Sequence, residues 1–417
     1  MDNIDAFLAR ANAGEVEIIL DLSRLLSRCL HDTPTGVDRV EMAYARQFQK
    51  LLPERLAFAA VHPSGTYGRL PRNAVARFLD ETEQRWASGR RLPRWKRYLR
   101  AIRTLILLFP RSVPSQDKAP RYYIQPSPNH LYRSAVVEAK LRRERASFIC
   151  LIHDLIPIDF PEYARPGGAD RHIERMATLA RHAQVLVANS AATAESMRRF
   201  LVGQQRTPPV IPILLGTDDK GAAAPLTPPT PKTPYFLIVG TIEPRKNHIL
   251  LLNIWRRMIE LYGNDATPHL IVAGRRGWEN EHVVDMLERT TGIHDHVQEL
   301  GRSSDEELAA LIREARALLL PSFAEGFGMP VAEALAAGTP VICSDLPALR
   351  EVGGDIPDYI DPLDGIAWMT AIRDYATDNS PRRTSQMRRL RELNLPTWES
   401  HIRGVIKVMT DLDRLEC

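Results

Sequence analysis

Several charged residues stand directly after short apolar runs, at spacings that suit the binding of an anionic, polyhydroxylated ligand. The run YFLIVG is followed by Gly240-Thr241-Ile242-Glu243-Pro244-Arg245-Lys246-Asn247 and then by an apolar helical pattern. Arg245 can grip two phosphate oxygens at once, and Lys246 acts as a point charge. The plain alternative is two solvated cations ahead of a helix. A second block reads Pro321-Ser322-Phe323-Ala324-Glu325-Gly326-Phe327-Gly328-Met329-Pro330 and runs into VAEALAAGTPVICSD. Gly326 and Gly328 let backbone approach a ligand. Pro330 suits a helix start, and the free amides of such a start favour an anion such as a diphosphate. Glu325 falls on the loop and Glu333 on the first helical turn. Each carboxylate can accept two hydrogen bonds from vicinal hydroxyls, although Glu333 also fits a carboxylate favoured by the helix dipole.

The first half of the chain offers three smaller groups. Pro34-Thr35-Gly36-Val37-Asp38-Arg39 follows the strand-like VEIILDLS and opens a helix. A phosphate loop and an ordinary turn both fit it. His153 and Asp154 follow the run SFICLI, and Asn189-Ser190 follow VLVA. His153 reads as a ligand contact, a core histidine or a cap. Ser190 reads at least as a helix N-cap.

These residues need a scaffold, and the apolar pattern supplies one. Strand-like runs are expected near Val16–Leu22, Leu56–His62, Arg121–Gln125, Phe148–His153, Val185–Asn189 and Val210–Leu214. Six more lie near Tyr235–Val239, Leu270–Ala273, Val297–Leu300, Ala317–Leu320, Val341–Cys343 and Tyr359–Ile360. Helical patterns at Asp38–Leu51, Glu162–Arg181, Asn247–Leu261 and Ser304–Arg316 fall between them. Continuously apolar strands alternating with helices imply parallel sheets covered on both faces. Such sheets bind ligands at the C-terminal ends of their strands. The Pro-, Ala- and Thr-rich Thr217–Pro234 cannot join a sheet and reads as a linker. The expected division is a domain at 1–218, a linker at 219–234, a domain at 235–396, and a last helix at 397–417 packing back on the first domain.

Composition narrows the class. The 417 residues carry 55 Lys+Arg against 51 Asp+Glu, with 44% hydrophobic and 25% charged residues. That is ordinary for globular α/β domains and excludes collagen, long disorder and coiled coil. The apolar runs, such as Leu105–Phe109, are too short to span a bilayer. The N-terminus lacks the pattern of a signal peptide. Four dispersed cysteines suit a reducing compartment and not a zinc site, and no DxD-like pair is assigned to a metal, so no cofactor is expected.

The blocks GTIEPRKNHILLL, LGRSSDEELAALI and LLPSFAEGFGMPVAEALAAGTPVICSDLPALREVGGD resemble family 4 of the retaining GT-B glycosyltransferases in order and spacing. The resemblance covers most of residues 235–356. It implies two Rossmann-like domains facing across a cleft and a nucleotide-sugar donor held mainly by the second. It also implies that Arg245 and Lys246 bind the donor diphosphate, and that Glu325 and Glu333 form the family's E-x7-E pair at the sugar and the ribose. Gly240 would let the nucleotide approach, Arg302 would lie near the base, and the amides of Phe327 to Met329 would meet sugar and phosphates. Gly36, Asp38 and Arg39, with Asp154 and Asn189, would border the phosphates or the acceptor. His153, in the string HDLIP, would contact the donor sugar or the acceptor. That string favours GDP-mannose by analogy, with UDP-hexoses, dTDP-rhamnose and GDP-fucose as alternatives. The implied acceptor is a glycan or a polyprenyl-linked oligosaccharide in surface polysaccharide synthesis. A nucleotide-sugar epimerase or hydrolase, and a non-catalytic glycan-binding subunit, are the competing classes.

Residues 63–120 depart from this pattern. Arg85 to Arg111 hold nine Lys/Arg and no Asp/Glu. Trp86 and Trp95 are interleaved with Arg94, Arg97, Arg100 and Arg103, and apolar residues recur at helical spacing. Contact with an anionic membrane is expected, which would place the chain peripherally at the inner face of the cytoplasmic membrane. The alternative is a surface helix packed on its own domain. No nucleic-acid module is present, and no nucleic-acid partner is expected.

Overall fold

The computed structural model describes residues 3–89, 92–113, 119–217 and 234–416. All but the last residue of the expected linker, together with Arg90, Arg91 and Cys417, lie outside them. Seven strands form the first sheet: β1 (Glu17–Asp21), β2 (Ala57–Val61), β3 (Tyr67–Arg69), β4 (Arg121–Gln125), β5 (Ser147–Ile152), β6 (Val185–Ala188) and β7 (Val210–Pro212). Their order is β3-β2-β1-β4-β5-β6-β7, and every pairing is parallel except β2 with β3. Six strands form the second: β8 (Tyr235–Val239), β9 (His269–Ala273), β10 (Val297–Gly301), β11 (Ala317–Leu320), β12 (Val341–Ser344) and β13 (Asp358–Ile360). That sheet is wholly parallel in the order β10-β9-β8-β11-β12-β13.

Counted from β8, this is the 3-2-1-4-5-6 order of a doubly wound nucleotide-binding sheet. Its switch point lies between β8 and β11, and the loops that leave those two strands are where a ligand is expected. The first sheet reverses between β1 and β4 in the same way. The central strands of the second sheet are apolar throughout because helices cover both faces. Phe236, Trp255, Leu270, Leu319, Ile342 and Trp368 meet in one core cluster there.

The chain divides into two compact units. The first holds Met1–Asp159, Gly167–Gly216 and Pro396–Cys417; the second holds Phe160–Pro166 and Thr217–Leu395. Residues 160–166 therefore assort with the second unit, not with the half of the sequence around them. Within that unit the Tyr163 ring stacks on Phe323 with centroids 5.9 Å apart. The last helix, Trp398–Glu416, packs in the first unit against the helices Asn3–Ala13 and Gly36–Leu51. His401 anchors it: Nδ1 donates to the Leu214 carbonyl at 2.8 Å, and Nε2 accepts from the Tyr44 hydroxyl at 2.7 Å. Burial lowers the His401 pKa to about 4, which keeps the ring neutral for both bonds.

The basic insertion contains the helices Arg72–Ser88 and Arg94–Leu107. Two expectations for it need correction. Trp86 is buried and unavailable to a membrane. Arg97 and Arg100 turn inward to Asp32, at 3.1 and 3.2 Å. Among the described residues no helix is long and apolar enough to cross a membrane.

Candidate active site

The loops after β8 and β11 meet at the switch point through three charged side chains. Glu325 Oε1 lies 2.5 Å from Lys246 Nζ, and its Oε2 lies 2.9 Å from Arg245 Nη1. Ser322 donates its hydroxyl to Glu325 at 2.7 Å. Arg245 also donates to Glu243 Oε1 at 2.7 Å and to the Ala324 carbonyl at 2.6 Å. The Lys246, Glu325 and Glu243 side chains are almost fully enclosed. Burial alone would push the Glu325 carboxyl up; Arg245 and Lys246 outweigh it and hold the group at about 2. The carboxylate therefore stays charged, and both cations are positioned before any ligand arrives.

Backbone geometry makes the loops possible. Gly240 has φ +147°, and a Cβ there would touch Lys246 Cε at 3.4 Å. Gly274, on the loop after β9, is tighter still: its Cβ would lie 1.6 Å from the Gly240 carbonyl oxygen. In the second loop, Gly328 (φ +101°) caps the helix Met329–Ala336 and makes no side-chain cap hydrogen bond. Phe327 and Gly328 are buried, Met329 and Glu333 are half-buried, and Gly326 is half-buried beside Glu325. Arg302 is exposed just after β10.

The first unit collects its own polar residues at the C-terminal ends of β1 and β5. His153 Nε2 donates to the Pro126 carbonyl at 2.8 Å. Burial lowers its pKa, so the neutral ring leaves Nδ1 as an acceptor for a hydroxyl. Asp154 Oδ1 accepts from the Ile156 amide at 3.2 Å, and His172 donates to the Asp154 carbonyl. Gly36 opens its helix with no atom within 4 Å of a would-be Cβ, and Arg39 is half-buried one turn on.

Two residues grouped with these at the sequence level prove to be enclosed. Asp38 is 1% exposed; it closes a capping box with Thr35 and takes Arg24 at 2.5 Å and Arg28 at 2.7 Å. Asn189 is buried and donates to the His153 carbonyl at 2.8 Å. Both position neighbours in place of presenting themselves to a ligand. Ser190 caps its helix as expected, accepting from the Thr193 amide at 3.0 Å. Sequence reasoning passed over Arg24, Arg28 and Glu243. The first two follow β1 four residues apart, a spacing that could have drawn attention to them.

With the geometry in hand, residues 226–358 match the family model described as glycosyl transferases group 1. The β8 and β11 loops both fall inside that match. This segment is similar to the group 1 glycosyl transferases. Relatives include the O-antigen chain mannosyltransferase B of Escherichia coli, 37% identical over 166 residues, which are 40% of this chain and 43% of that protein. The serotype-specific mannosyltransferase WbdA of Escherichia coli is 29% identical over 239 residues, 54% of this chain and 29% of its own length. The chain thus spans less than half of either relative. Among solved structures, Anabaena HepE in complex with UDP and glucose aligns with a TM-score of 0.61 at 13% identity, over 95% of this chain and 99% of that one. The likeness shows the GT-B type of fold, with two Rossmann-like units.

Proposed function

We propose that the chain is a retaining hexosyltransferase that moves mannose from GDP-mannose to a glycan on a lipid carrier, in the synthesis of a surface polysaccharide. The carrying observation is the convergence of Arg245, Lys246 and Glu325 at the switch point of a group 1 glycosyl transferase segment. The mannose assignment is supported by the HDLIP string and by the two mannosyltransferase relatives.

In this reading Arg245, Lys246 and the amides of Phe327 to Met329 take the donor diphosphate. The bond from the anomeric carbon to the β-phosphate oxygen breaks, and the acceptor oxygen bonds to the same face. The acceptor proton passes to the departing phosphate. Charge growing on that phosphate meets donors already in place, so little reorganisation is needed. Glu325 holds the two cations and faces the sugar, Glu333 takes the ribose, and neutral His153 accepts from a sugar hydroxyl. The reading assigns no role to a metal ion, because these cations and amides supply the positive charge.

Incubation with labelled GDP-mannose and a polyprenyl-linked acceptor tests it. Transfer with an α-linked product supports the reading, since the donor is itself an α-glycoside. Transfer from a UDP or dTDP sugar alone overturns the mannose assignment, and a β-linked mannoside overturns retention.

A further inference from the structure

The helix Arg94–Leu107 is inside out for a helix that merely covers its own domain. Its inward side is made by Ala101 and Thr104, with Arg97 and Arg100 held on Asp32. Its outward side is made by Trp95, Tyr98, Leu99, Ile102 and Ile106, with Trp95 60% and Ile106 70% exposed. At 3.6 residues per turn these five occupy an arc of about 100°. Lys96 and Arg103 flank one edge of the arc and Arg94 the other, all exposed. Leu107 and the following Phe109 extend the exposed apolar surface. A concentrated apolar patch of this kind marks a contact surface.

Beside the helix lies a groove of about 920 Å3, walled by Leu99 and Leu107 and by Arg72, Arg77, Arg103 and Arg111, with Glu54 and Glu81 also lining it. Apolar stripe, cationic rim and arginine-lined groove share one surface. From Arg85 to Arg111 the sequence has no acidic residue. A second copy of the chain docking by this face would set like charge against like charge. Anionic lipid is complementary in both respects: acyl chains for the stripe and headgroup phosphates for the rim.

We propose that this face seats the chain on an anionic bilayer. The Trp95–Ile106 stripe enters the boundary between headgroups and acyl chains, Arg94, Lys96 and Arg103 meet lipid phosphates, and the Asp32 pairing keeps the stripe turned outward. The inference deepens the lipid-carrier reading above, and its readout needs no turnover.

The test is co-sedimentation of the full chain with vesicles of phosphatidylcholine alone and of phosphatidylcholine with phosphatidylglycerol. The wild type is expected to sediment with the anionic vesicles and to stay largely in solution with the neutral ones. Ile102→Asp with Ile106→Asp should weaken that partitioning at least about tenfold, since two stripe side chains lose their place in lipid. Lys96→Glu with Arg103→Glu should weaken it similarly and make it insensitive to salt. Circular dichroism should report unchanged folds, because all four side chains are exposed. No sedimentation of the wild type with anionic vesicles, or equal sedimentation of wild type and the isoleucine variant, would overturn the proposal. So would a wild-type dimer in light scattering that the isoleucine variant abolishes. GDP binding measured on the same proteins reports on the donor reading separately.

Discussion

Lys246, Arg245 and Glu325 form a closed ion cluster in which each cation already has a carboxylate partner. A donor diphosphate entering it would meet two cations that Glu325 keeps in place. Lys246→Ala should lower turnover by about 10²-fold or more, because one preorganised donor to the leaving group is lost. Steady-state kinetics with saturating donor checks this, and unchanged kcat would remove Lys246 from the chemistry. A second expectation concerns Glu41, which burial raises from 4.5 to about 8, with Asp21 adding to the effect. A carboxyl raised on folding contributes stability that is full below 4.5 and is lost as pH climbs toward 8. Glu41→Gln, which can still accept from the Leu25 amide, should therefore raise Tm at pH 8 and leave it nearly unchanged at pH 4. Calorimetric melts at both values decide it; an equal shift at both would mean that packing, not ionisation, is involved. At this scale, Arg245, Lys246 and Glu325 were legible because each stands on a loop directly after an unmistakable strand. Asp38 was misread because its distance from Gly36 says nothing of Arg24 and Arg28, which reach it from another element and enclose it.

Elements were more legible than their contacts. Parallel strands such as Tyr235–Val239 and Ala317–Leu320 are continuous apolar runs with the bounds expected of them. β3 was missed because three residues, Tyr67-Gly68-Arg69, carry no period; the strand exists through pairing with β2, and Arg69 is bridged to Arg111. The helix expected at Glu162–Arg181 begins only at Gly168, after a short 3-10 turn at Pro161–Tyr163 and the break at Pro166-Gly167. The β8 loop depends on a glycine of the neighbouring β9 loop. Gly274→Ala would drive a methyl into the Gly240 carbonyl and displace the loop bearing Arg245 and Lys246. Misplacement on the order of 1 Å costs about 10²-fold in turnover. Activity of the variant against its retained secondary structure checks this, and wild-type turnover would show that the loop does not need that close approach.

For the whole molecule, two doubly wound sheets were legible from the alternation of strands and helices. The return of the last helix to the first unit is anchored by contacts that sequence does not announce. Gly216 is one of them: a Cβ there would lie 2.2 Å from the Trp398 backbone nitrogen. Gly216→Ala should cost about 1–3 kcal/mol of stability through overpacking, read as a lower denaturant midpoint with unchanged slope. An unchanged midpoint would mean that the helix docks with slack. The account as a whole stands on the donor site, and calorimetric titration with GDP, UDP, dTDP and their common sugars tests it most directly. GDP-mannose should bind tightest, and Lys246→Ala should weaken that binding. Failure of every nucleotide to bind the folded wild type would contradict the account.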